Sequence, residues 1–85
     1  MNPESLYAHI GEVIRTRRRS LKPRMTQESL AQVVGMSRAA LANIETGRQN
    51  VMVHQLYAFA KALKIDVTDF LPPIEQTAVG EPVRE

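Results

Sequence analysis

Between Thr26 and Gly47 the chain reads as two short helices joined by a tight turn at Gly35. In the second of these, Leu41 and Ile44 fall on one side of the helical register. Arg38, Ala39, Ala42 and Asn43 fall on the other, because 38 and 42, like 39 and 43, are four residues apart. A helix anchored on one face, with small and hydrogen-bonding residues on its free face, is what a DNA major groove accepts. The same pattern also fits an ordinary helical hairpin with a solvated face, so the pair alone leaves both readings open.

Other chemistries find no constellation in this sequence. His9 and His54 lie far apart with no carboxylate or cysteine cluster beside them, so no metal site is implied. No serine has the spacing of a nucleophile with its base, and an enzyme is not expected. No cofactor is implied either. Met25, Met36 and Met52 read as packing residues. The chain has no cysteine, which excludes disulfides and thiolate zinc sites and makes a reducing cytoplasm the expected setting. Aromatic residues make up 5% of the chain, too few for a base-stacking platform that binds single strands. No signal peptide or membrane span is expected, since Pro3, Glu4 and His9 interrupt the start and no long apolar run follows.

Eighty-five residues, 44% of them hydrophobic, suit one domain with a modest core. The formal net charge of +2 is unevenly placed. From Met1 to Lys64, ten Lys or Arg oppose four acids, a net of +6. From Ile65 to Glu85, one Arg opposes five acids, a net of −4. A basic body suits a polyanion, although many solvated faces are basic too.

The elements that must position Arg38 and its neighbours follow from the periodicity. Leu6, Ile10 and Ile14, with Tyr7 and Val13 beside them, predict an amphipathic helix from about Pro3 to Ser20. The same ladder carries Arg18 onto the apolar face, where a guanidinium needs a carboxylate, and Glu45 is the expected partner. Pro23 breaks the chain before a second helix capped by Thr26, with Leu30, Ala31 and Val34 as its buried stripe and Gly35 as its end. Ser37 caps the third helix, which stops near Thr46-Gly47. Val53, Leu56, Phe59, Ala60 and Leu63 predict a fourth helix with all five facing the core. Asp66 is expected to cap a short fifth helix through Phe70 and Leu71, stopped by Pro72-Pro73. Residues 72–85, with Gly80, Pro82 and alternating charges, are expected to be a flexible tail.

Taken together, Ile10-Gly11, Ile14, Arg18, Thr26-Gln27, Leu30-Ala31, Gly35, Ser37, Leu41, Ile44-Glu45-Thr46-Gly47, Leu56, Ala60 and Leu63 strongly resemble the lambda-repressor-like (Cro/XRE-type) helix-turn-helix family. The resemblance covers roughly residues 6 to 71. It implies an all-α, five-helix DNA-binding domain over residues 1–71, with the helix-turn-helix at about 26–46. It also implies that Ser37, Arg38, Ala39, Ala42 and Asn43 contact bases: Arg38 suits guanine, Asn43 adenine, and the two alanines a thymine methyl. Gln27, Arg48, Gln49 and Asn50 match positions that contact the DNA backbone, and Arg18 with Glu45 matches a structural ion pair.

Two departures stand out. The turn after Arg18, through Leu21-Lys22-Pro23-Arg24-Met25, is about two residues longer than the common pattern. The fourth helix opens with Val51 and Met52 where the family places Pro and Ser or Thr, removing a cap worth about 1 kcal/mol. No sensor, cleavage or oligomerisation domain is expected beyond the helix-turn-helix.

The expected function is a sequence-specific double-stranded DNA-binding transcriptional regulator, a repressor, bound as a homodimer to a palindromic operator. The segment around Ile65 to Leu71, with Met52 or the tail, is the expected dimer surface. An activator or a restriction–modification controller would carry the same signature. The acidic segment from Asp66 to Glu85 keeps open an antitoxin-type module that also binds a protein partner such as a toxin. Small Ala39 and Ala42 keep open a protein-binding adaptor that has lost DNA binding.

Overall fold

The computed structural model describes residues 2–73, and within them the chain forms four α-helices and one 3-10 turn, with no strand. Helix α1 spans Pro3–Ser20, α2 Gln27–Val34, α3 Arg38–Glu45 and α4 Val53–Leu63. The expected flexible tail lies outside the described residues from position 74 onward.

Local chemistry accounts for most of the boundaries. The side chains of Asn2, Thr26 and Ser37 each accept a hydrogen bond from a first-turn amide, at 2.8 Å from Ser5, 3.0 Å from Ser29 and 3.0 Å from Ala40. Helix α2 ends at Gly35 in the left-handed conformation, φ 76°, which an L side chain adopts only at a cost. Met36 N–H then closes back on Ala31 O at 2.9 Å, which sets the tight turn into α3.

Ile10, Ile14, Leu30, Leu41, Ile44, Leu56, Phe59, Leu63 and Phe70 build one core shared by all five elements. Every helix but the second contributes bulky aliphatic or aromatic residues three or four apart, the spacing that keeps one stripe inward. Gly11 lets α1 approach α3 closely: a Cβ there would collide with the Ile44 carbonyl oxygen and lie 2.9 Å from that of Glu45. Helix α3 is thereby pinned on its apolar side by α1 and α2.

Several expectations need correction. The fifth element is a four-residue 3-10 turn, Val67–Phe70, not an α-helix. Its bonds span three residues, as in Asp69 N–H to Asp66 O at 2.9 Å, and Pro72-Pro73 leave no length for an α-helical turn to follow. Asp66 holds the N-cap position as expected, and the Asp69 carboxylate accepts from Asp66 N–H at 3.1 Å. Val53 is not in the core but 73% exposed, because it is the first residue of α4 and the inward stripe begins at Leu56. Val34 is only half-buried. Met52 is exposed rather than packed, unlike half-buried Met25 and Met36. The missing cap of α4 is partly replaced: Gln55 reaches back and its Oε1 accepts from Met52 N–H at 2.9 Å.

Candidate nucleic-acid interface

The free face of α3 is built from its N-terminus outward. Ser37, Arg38, Ala39 and Asn43 are exposed, and Ala42 is half-buried. On the opposite side Leu41 and Ile44 are fully buried. The Ser37 hydroxyl is anchored as the cap of α3 yet keeps its own O–H to donate. The side chains of Arg38 and Asn43 make no hydrogen bond to the described residues, so five guanidinium donors and a carboxamide stand free toward solvent.

Below this face lies the buried pair. Arg18 is 8% exposed and Glu45 5% exposed. Arg18 Nε donates to Glu45 Oε2 at 2.7 Å and Nη2 donates to Oε1 at 3.0 Å, a bidentate geometry. A third guanidinium donor, Nη1, reaches the Met25 carbonyl at 3.0 Å. Among the described residues no buried side-chain polar atom is left without a partner, which is the condition for an inward charge pair to be tolerated.

Gln27 carries more than the backbone-contact role expected of it. Its Nε2 donates to Glu45 Oε1 at 3.0 Å, so the side chain is aimed by the carboxylate. One amide hydrogen is used in that bond, and the second remains a donor at the N-terminus of α2, where Gln27 and Glu28 also present main-chain N–H groups. The link between Gln27, Glu45 and Arg18 fastens the first residue of α2 to the last residue of α3. Sequence reasoning paired Arg18 with Glu45 but missed Gln27, whose half-buried place beside a carboxylate only the fold creates.

The loop after α3 is also organised. Arg48 N–H donates to Asn43 O at 2.8 Å, and the Thr46 hydroxyl donates to Ala42 O at 3.1 Å. Arg48, Gln49 and Asn50 follow with exposed side chains. An open groove of about 490 Å³ between α1 and α3, lined by Ala8, Glu12, Arg15, Gln27, Ala42 and Thr46, separates this face from α1.

No group of three or more His, Asp or Glu among the described residues could hold a metal ion. None of the described helices is long and apolar enough to cross a membrane.

Residues 14–70 match a family model described as helix-turn-helix. A transcriptional regulator from the ATPase CF(0) region of Rhodospirillum rubrum, itself uncharacterized, is 35% identical over 75 residues, covering 88% of this chain. The match spans 65% of that relative's length. Among solved structures, the clp gene regulator ClgR from Corynebacterium glutamicum superposes with a TM-score of 0.70 at 28% identity, over 76% of this chain and 67% of that one. The restriction–modification controller protein C.AhdI from Aeromonas hydrophila gives a TM-score of 0.69 at 26% identity, over 76% of this chain and 96% of that one.

Proposed function

The chain belongs to the Cro/C1-type helix-turn-helix family, and from that premise we propose that it is a transcriptional repressor that reads double-stranded DNA. It is a DNA-binding regulator and not an enzyme, and it works in the cytoplasm. The observation that carries this reading is the exposed side of α3, where Arg38 and Asn43 stand free while Leu41 and Ile44 are sealed in the core. In the proposed complex Ser37, Arg38, Ala39, Ala42 and Asn43 face base edges. Gln27, Arg48, Gln49 and Asn50 bond phosphates and set the register.

An eight-residue recognition helix reads only roughly 4–6 base pairs, so useful specificity calls for two copies on a palindrome with half-sites about 34 Å apart. In the expected dimer segment Phe70 is fully buried in the chain's own core and Ile65 and Val67 are half-buried, while Leu71 is 45% exposed. Met52, Val53 and Tyr57 are 63%, 73% and 60% exposed, and Val53 and Tyr57 are neighbours one turn apart on α4. These three side chains are the proposed contact with the second copy.

A restriction–modification controller is the favoured variant of this function. Its support is that the alignment with C.AhdI takes in 96% of that controller's chain. Selection of binding sites from a random duplex library tests the proposal. The expected result is an inverted repeat spaced by one helical turn; recovery of no sequence preference overturns it.

A further inference from the structure

Six basic residues lie between Arg15 and Arg24, and the fold sorts them into different roles. Arg18 is buried against Glu45, and Arg15 is held by Glu12 at 3.0 Å. Arg17 lines a cavity beside His9 and Asp69. Arg19 and Arg24, by contrast, come together with Arg38 around one open groove of about 460 Å³ at the start of α2. Arg19 sits in the last turn of α1, and Arg24 sits on the long linker, so only the fold unites them with the recognition helix.

Four guanidinium groups line this groove with a single acid, Glu28; Arg18 is paired with Glu45, and Arg19, Arg24 and Arg38 are not ion-paired among the described residues. Such a concentration of like charge is unfavourable until an anion enters. Arg24 is not left to swing with the linker. Its neighbour Met25 is tied twice to Arg18, by Met25 N–H to Arg18 O at 3.2 Å and by Arg18 Nη1 to Met25 O at 3.0 Å. The inward ion pair therefore also fixes the linker end that carries Arg24. The extra linker residues lengthen the approach to α2 and put a cation at its mouth.

We propose that Arg19 and Arg24 clamp a phosphodiester of the duplex backbone beside the bases that Arg38 reads, while Arg17 does not. This assignment rests on the DNA-binding reading above. The groove thus contributes affinity and register without sequence preference of its own.

The test is the salt dependence of binding to a mixed-sequence duplex of roughly 30 base pairs, because each phosphate contact adds about 0.9 to the slope of log K against log salt. The R19A/R24A double variant should flatten that slope by about 1, the contribution of one phosphodiester, with base preference unchanged. Its melting temperature should also hold, since neither side chain bonds to the described residues. R19K/R24K, which keeps both charges, should recover most of the slope, and R17A should leave it as it is. An unchanged slope in R19A/R24A, or an equal flattening by R17A, overturns the clamp. Loss of thermal protection by sodium phosphate in the double variant, without any change in duplex slope, assigns the groove to a small anion and likewise overturns it. If the unaltered protein itself shows no salt-dependent duplex affinity, the DNA-binding reading fails before the clamp is reached.

Discussion

Arg38 and Arg18 are both arginines in helical segments, and their surroundings give them opposite tasks. Arg38 keeps all its donors for a ligand, and the proposed guanine contact makes it an energetic centre of recognition. Arg38→Ala should weaken binding to the selected site by about 1–3 kcal/mol and relax preference at one base pair. Mobility-shift titration against a set of single-base variants reads this directly; equal losses on every sequence would make Arg38 a phosphate contact. Arg18 has spent its donors inside the protein. Arg18→Ala leaves the Glu45 carboxylate 5% exposed with only Gln27 to satisfy it, and should cost about 3–5 kcal/mol of stability. Replacing both partners with Met and Leu should cost less than the single change, because no orphaned charge remains. Urea unfolding of the two variants decides this, and a more stable Arg18→Ala would refute it.

At the scale of elements, the proposed recognition helix is placed by close approach as much as by apolar contact. Helix α3 has only eight residues, too few to be stable in water alone, so its geometry is imposed by α1 and α2. Gly11 sits where α1 meets the carbonyls of Ile44 and Glu45. Gly11→Ala should lower stability by about 1–3 kcal/mol through overpacking and displace α3. Gly35→Ala meets nothing within 4 Å, so its expected cost is the left-handed backbone alone, about 1–2 kcal/mol. Only the Gly11 change should reduce duplex affinity beyond what its stability loss explains. Thermal melting and titration on the same two variants check both halves.

Over the described molecule, the arginines that face the proposed DNA and the main group of exposed apolar side chains sit on different elements. The arginines lie on α1, the linker, α3 and its following loop, while Met52, Val53 and Tyr57 gather at the start of α4, with Val33 and Leu71 exposed elsewhere. If that cluster joins two copies, Val53→Glu with Tyr57→Glu should give a monomer in sedimentation equilibrium. Affinity for the full palindrome should fall steeply while a single half-site is bound about as before. Both residues are exposed, so helical content by circular dichroism should be retained. A dimer that persists in this variant would move the interface elsewhere.

What the sequence alone determined was whatever local spacing encodes. The four-residue ladder of Ile10 and Ile14, the caps Thr26 and Ser37, and the stop at Gly35 each act within a turn or two, so the existence of α1 to α4 and the free face of α3 were legible. The Arg18–Glu45 bond was foreseeable because an inward charge requires an opposite one. Tertiary structure decided the rest. The Gln27 link to Glu45, the gathering of Arg19 and Arg24 beside Arg38, and the outward turn of Val53 depend on how helices dock. Docking is governed by contacts between residues far apart in the chain, and periodicity holds no record of those distances.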